Sequence, residues 1–164
     1  MYGRIYVIEF EAQTISNAGG DRDLFYLAPA DDKPIKVIGW DLSQFSDLGD
    51  AGEEVMRLRW IRGHSTVGSG GSAVTASTVY RANPTDPDPS FTARTNDTTI
   101  ASAGTTFNAY SGGYNIRVSP SPYFLPERLW MPCTQAQSSL VMRLMAGPTD
   151  DLTMSGSVWV MEEG

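Results

Sequence analysis

From Met56 to Trp60 the chain reads Met-Arg-Leu-Arg-Trp, apolar and cationic side chains in strict alternation. In an extended chain successive side chains point to opposite faces, so Met56, Leu58 and Trp60 share one face and Arg57 and Arg59 the other. Glu, Met, Arg and Leu are also good helix formers, but a helix would scatter these five around its circumference. The alternation, ended by Gly63, predicts a strand from about Glu54 to Arg62 with one wet face.

The same period recurs along the chain. Tyr6, Ile8, Phe10 and Ala12 alternate with Glu9, Glu11 and Gln13. Asp23 to Ala28 is a second strand, closed by Pro29; after Lys33-Pro34 comes a third, in which Ile38, Trp40 and Leu42 share a face. Thr105 to Tyr110 and Tyr114 to Pro120 flank Ser111-Gly112-Gly113, a hairpin signal. Ser138 to Ala146 sets Leu140, Met142 and Leu144 against Val141, Arg143 and Met145, and Ser155 to Glu162 sets Trp159 and Met161 against Val158 and Val160. No run reads as a helix of about ten residues. The pattern predicts an all-β protein, an antiparallel jelly-roll-like β-sandwich of about eight strands. An immunoglobulin-like sandwich is the runner-up, without its Cys…Trp…Cys spacing. Trp40, Leu58, Trp60 and Leu140 are expected among the most buried residues.

The 164 residues suit a single domain, 1–164. Between His64 and Thr99 the period breaks. Gly68-Ser69-Gly70-Gly71-Ser72 reads as a flexible connector, and Pro84, Pro87 and Pro89 cannot sit in a central strand. The expectation is a long loop excursion at about 64–99, with short strand pieces near Val74 to Arg81 and Phe91 to Arg94. A second proline-broken stretch runs from Pro120 through Pro126 to Pro132. It is apolar yet ill suited to regular pairing, so Tyr123, Phe124 and Trp130 either pack simply under a loop or, with Leu125, are buried against another subunit or a glycan.

Little here points to catalysis. His64 is the single histidine and Cys133 the single cysteine. A nucleophilic triad would have to use His64, which the sequence places in an exposed polar turn. One His and one Cys cannot complete a zinc site, and Cys133 reads as a small apolar filler. Asp47, Asp50, Glu53 and Glu54 lie close together without the spacing of a helix-loop-helix calcium site. Asp31-Asp32, Asp86 with Asp88, and Asp150-Asp151 read as turn residues. Glu9 and Glu11 share a strand face, which is ordinary for exposed acids. The glycine-rich loop lacks the Lys-Ser/Thr of a phosphate-binding loop, and Asn96-Asp97-Thr98 matches the N-glycosylation tripeptide without a secretion signal to give it meaning. No catalytic residue, metal or cofactor is expected. The formal net charge of -7 repels nucleic-acid phosphate, which argues against nucleic-acid binding. No stretch approaches the ~20 apolar residues of a membrane helix, so no membrane partner is expected and synthesis in a cytoplasm is.

The run Asp47-Leu48-Gly49-Asp50-Ala51-Gly52-Glu53-Glu54, then Arg57-Leu58-Arg59-Trp60-Ile61-Arg62-Gly63-His64-Ser65-Thr66 and Gly68-Ser69-Gly70-Gly71-Ser72, resembles small proteins of tailed bacteriophages and prophages. Asn96-Asp97-Thr98-Thr99-Ile100-Ala101-Ser102-Ala103-Gly104-Thr105 and the closing Leu152-Thr153-Met154-Ser155-Gly156-Ser157 add to the likeness, which covers most of the chain. By analogy with jelly-roll auxiliary proteins of phage heads, the resemblance implies a virion structural protein, a capsid decoration or cement protein stabilising the head surface. It implies a homo-oligomer, a trimer, in contact with the major capsid protein or other virion proteins, with Tyr123, Phe124, Leu125 and Trp130 at the subunit or capsid interface. The alternative from a different class is a glycan- or receptor-binding β-sandwich module of a phage tail or fibre.

Overall fold

The computed structural model describes residues 3–46, 54–118 and 123–164 and, at Tyr123, the backbone. Its strands are β1 (Arg4–Ile15), β2 (Arg22–Ala28), β3 (Ile35–Gln44), β4 (Val55–Arg62), β5 (Ser72–Val74), β6 (Tyr80–Arg81), β7 (Thr92–Asp97), β8 (Phe107–Asn115), β9 (Tyr123–Phe124), β10 (Met131–Cys133), β11 (Leu140–Leu144) and β12 (Leu152–Glu162). Two antiparallel sheets pack as a sandwich. One runs β10-β3-β12-β1-β6, with β9 also paired to β3; the other runs β5-β7-β2-β11-β4-β8.

Setting aside β5, β6 and β7 leaves a jelly roll. The chain crosses between sheets as it passes β1, β2, β3 and β4, and again from β8 to β9 and β10, to β11, to β12. The last strand closes beside the first, with Arg4 opposite Glu162 and Ile15 opposite Leu152. The expected fold class is therefore the observed one; β5, β6 and β7 come from the excursion, and the short β9 is added beside β3. The excursion's β7 extends one sheet beside β2, its β5 pairs with β7, and its β6 pairs with β1 of the other sheet.

The core fills the space between the sheets. Met56, Leu58 and Trp60 of β4 are buried while Arg57 is exposed, as the alternation requires. Trp40, Leu58, Trp60 and Leu140 are at most 6% exposed. The Trp40 ring meets Trp60 edge-on at 5.9 Å and Tyr110 at 5.1 Å, the tilted arrangement that the ring quadrupoles favour. Cys133 is fully buried, and burial pushes its thiol up to about 11, which suits a small apolar filler.

Four local expectations are corrected. In β1 the apolar phase stops at Phe10: a bulge places Ala12 at φ 49°, exposed, and the buried phase resumes at Ile15. In β3 a bulge opposite Trp159 and Val160 leaves Ile38 half-buried, so Ile35 and Val37 share the core with Trp40 and Leu42. Gly112-Gly113 do not turn the chain: β8 runs straight through them against β4, with Arg57 opposite Gly113 and Leu58 opposite Gly112. A Cβ on Gly113 would lie 2.9 Å from the Met56 carbonyl oxygen, so glycine here permits close approach of two backbones. The stretch around Pro126 and Pro132 does pair, as β9 and β10 on β3. Pro132 is tolerated because β10 is an edge strand, where the missing N–H has no ladder to serve.

Candidate functional site

Across the outer face of the first sheet, the register lines up one apolar row. Tyr80 of β6 lies opposite Val7 of β1, Val7 opposite Trp159 of β12, Trp159 opposite Gly39 of β3, and Gly39 opposite Phe124 of β9. Tyr6 and Ile8 flank Val7 and are buried, as Val158 and Val160 are around Trp159, so the row points away from the core. Tyr80 is 67% and Phe124 56% exposed, with Val7 and Trp159 half-buried between them. The Phe124 and Trp159 rings are in tilted contact at 4.8 Å. Strand spacing makes the row about 19 Å long. Ile5 and Met161, opposite each other, widen it on one side; Glu9, Ser157 and Asp41, also in register, border it on the other.

The four residues named from sequence divide around this row. Phe124 ends it. Leu125 is half-buried, packs against the core, and donates its N–H to the Ile38 carbonyl at 2.9 Å. Trp130 is half-buried and its indole N–H donates to the Leu125 carbonyl at 3.0 Å. Tyr123 lies opposite Trp40 in the β3–β9 pairing. Val7, Tyr80 and Trp159 were not singled out in the sequence. Their signal is the register itself, which unites residues far apart in the chain.

The outer face of the second sheet is covered over β7, β2 and β11 by the chain's own excursion. Asp97, Asp23, Arg143 and Arg59 stand in one register row across β7, β2, β11 and β4. Arg143 donates from Nε to Asp23 Oδ1 at 2.6 Å and from Nη2 to the Ala101 carbonyl at 2.8 Å, while the Ala101 N–H donates to Asp23 Oδ2 at 2.6 Å. Asp23 and Arg143 are both buried, so each needs the other and the loop backbone to satisfy it. Asp97 does the same for the glycine-rich loop. It accepts two bonds from Arg94 Nε and Nη2 and one from the Gly71 N–H at 3.0 Å. Paired backbone bonds between Ser69 and Thr99 and between Thr66 and Ser102 complete the attachment. The expected flexible connector is thus a fastened strap. A Cβ on Gly71 would collide with the Thr95 carbonyl, which is why the strap can lie so close.

His64 sits under this strap rather than in an exposed turn. It is 8% exposed, and neither ring nitrogen has a hydrogen-bond partner among the described residues. Burial, then the Arg143 charge, lower its pKa from the usual 6.5. Its carbonyl accepts from the Ser139 hydroxyl at 2.8 Å. Asn96, of the glycosylation tripeptide, is buried at φ 57°. Glu54 accepts the Thr149 N–H; Asp47, Asp50 and Glu53 lie outside the described residues. Among the described residues there is no group of three or more His, Cys, Asp or Glu placed to hold a metal ion, and no helix long and apolar enough to cross a membrane.

Fold and surface together define a jelly-roll sandwich with one strapped face and one apolar face. No protein-family model and no curated protein sequence matches the chain.

Proposed function

We propose that this chain is a non-catalytic structural component of a tailed-phage particle, a capsid decoration protein that contacts its neighbours through the outer face of the β9-β3-β12-β1-β6 sheet. A jelly roll alone supports no particular role, since the fold hosts many. The observation that carries the reading is the row Tyr80–Val7–Trp159–Phe124, aligned by register on the face that no segment of the described chain covers. Contiguous exposed aromatics on a soluble domain mark contact surfaces. On the other outer face, β7, β2 and β11 lie under the strap with its ion pairs, and the part left open, on β4 and β8, is lined by Arg57, Ser111 and Gly113 rather than by an aromatic row. The partners in this reading are further copies of the chain, as a homotrimer, and the major capsid protein or other virion proteins. Three weak contacts held in one oligomer gain through effective concentration. The protein is made in the bacterial host cytoplasm and resides in the virion; neither nucleic acid nor membrane is a partner.

Co-sedimentation with phage heads stripped of the protein, followed by cryo-electron microscopy, tests this. Wild type should add regular density to the head surface with the apolar row facing inward or toward a neighbouring copy. Heads that remain bare at saturating protein overturn the reading.

A further inference from the structure

At the end of the sandwich where β4 meets β8 there is a cavity of about 280 Å3, walled by Arg62, Gly63, Thr105, Phe107, Gln137 and Ser138 among others. That is close to the lower bound of ~300 Å3 for pockets that hold drug-sized ligands. It is also several times the space of a lone carboxylate, if a water takes about 30 Å3.

The chemistry of the walls is uneven. Although the chain has a net charge of -7, no acidic residue lines the cavity, and Arg62 is the charged side chain that does. Arg62 makes no ion pair among the described residues, and its Nε is shut off from solvent, so its terminal Nη groups are the ones that can meet a ligand. The planar guanidinium fork is shaped for a carboxylate. Directly opposite Arg62 across the β4–β8 ladder stands Phe107, which is 64% exposed. Facing residues on paired strands have Cβ atoms about 5 Å apart, so cation and ring border the same space.

The far wall is strained. Ser138 has φ 60° and ψ −55°, and the Ser139 N–H donates to the Gln137 carbonyl at 2.7 Å. This is the γ-turn that L-residues rarely adopt. Backbone held in such a conformation gathers at ligand clamps, and here it presents Ser138 and Gln137 to the cavity.

From these features we infer that the cavity binds a sugar ring bearing a carboxylate, an acidic monosaccharide unit. The carboxylate pairs with the Arg62 guanidinium and the apolar face of the ring lies on Phe107. Hydroxyl groups meet Ser138, Gln137 and the backbone around Gly63 and Thr105. An anion alone would leave most of the cavity and the exposed ring unused; a neutral sugar would leave Arg62 unpaired. The inference is independent of the assembly reading, since Tyr80, Val7, Trp159 and Phe124 belong to the other sheet.

The test is a titration of the full-length, isotopically labelled protein followed by amide NMR, with glucuronate, glucose, acetate and inorganic phosphate as probes. Glucuronate should shift the amides of Gly63, Thr105 and Ser138 saturably. Glucose, acetate and phosphate should each bind at least about tenfold more weakly, the effect of losing one charged hydrogen-bond pair or the ring contact. Arg62→Gln and Phe107→Ala should each weaken glucuronate at least about tenfold. Phe107→Ala alters an exposed ring, so it reports on binding even where Arg62→Gln disturbs the fold. No saturable shift with glucuronate overturns the inference. So do equal binding of glucose, equal binding of acetate or phosphate, and an undiminished affinity in the Phe107→Ala variant.

Discussion

The surroundings of His64 oppose its charged form. Burial and the nearby Arg143 guanidinium outweigh the Ala103 backbone, Asp23 and the Ser102 backbone, which favour the charged ring. Charging it is therefore harder in the folded chain than in the unfolded one. With its pKa lowered from 6.5, the unfolded state takes up the proton first as pH falls. The stabilising effect of the neutral ring is complete above 6.5 and is lost as pH falls through the lowered folded value. Thermal melts across about pH 5 to 8 should show stability dropping below that point, and His64→Gln, which cannot titrate, should flatten that part of the profile. The neighbouring ion pair predicts a larger loss. Arg143→Ala leaves Asp23 buried without its cation and should cost about 3–5 kcal/mol in denaturant unfolding, with earlier protease cleavage between Thr98 and Gly104. The sequence exposed none of this. Asp23 and Arg143 are 120 residues apart, and a histidine between Gly63 and Ser65 has every local mark of a wet turn. Cys133 was legible because a lone cysteine among small residues is most often a small buried filler.

At the scale of the strand, legibility followed length and phase. In β4 the alternation spans the whole element, and the buried face is the one it names. Leu58→Ala should cost about 2–5 kcal/mol, a cavity in the core, while Arg57→Ala, on the exposed face, should cost under about 1 kcal/mol. Equal shifts in melting temperature for the two would mean the strand is turned over. Where the sequence reading slipped, the cause lies in the partner strand. A bulge inserts one residue and reverses every side chain after it, which is why Ala12 and Ile38 fall out of phase in β1 and β3. Whether a bulge exists depends on what the neighbouring strand can match. Gly112-Gly113 carries the same ambiguity, since a glycine pair serves equally as a turn and as a site of close approach. Only the position of β4 decides between them. The strands β5, β6, β9 and β10 are three residues or shorter and too brief to show any period.

For the molecule as a whole, topology turns scattered residues into surfaces. The count of strands and the absence of helix narrow the fold to a sandwich or barrel, but the pairing of β1 with β12 is a contact between the two ends of the chain, and no local pattern announces it. That closure is what brings Val7 beside Trp159, and the β6 and β9 additions extend the row to Tyr80 and Phe124. The sequence picked out Phe124 because prolines isolate it, and missed its companions because Val7 and Trp159 sit in ordinary alternating runs and Tyr80 in the aperiodic excursion. The row decides the final prediction. On a monomer it leaves aromatic surface in water at both ends, a liability that a neighbouring copy removes. Purified protein should sediment at about three times the 17.8 kDa chain mass. Phe124→Asp places a charge in the covered surface, where an unpaired carboxylate costs several kcal/mol, and should shift the species toward monomer. Because Phe124 is more than half exposed in the single chain, the substitution should leave the melting temperature of the isolated domain within a few degrees, about what a change under 1 kcal/mol gives at this size. Analytical ultracentrifugation of both variants at micromolar concentration checks this. A monomeric wild type would remove self-assembly and leave the head surface as the partner that must cover the row.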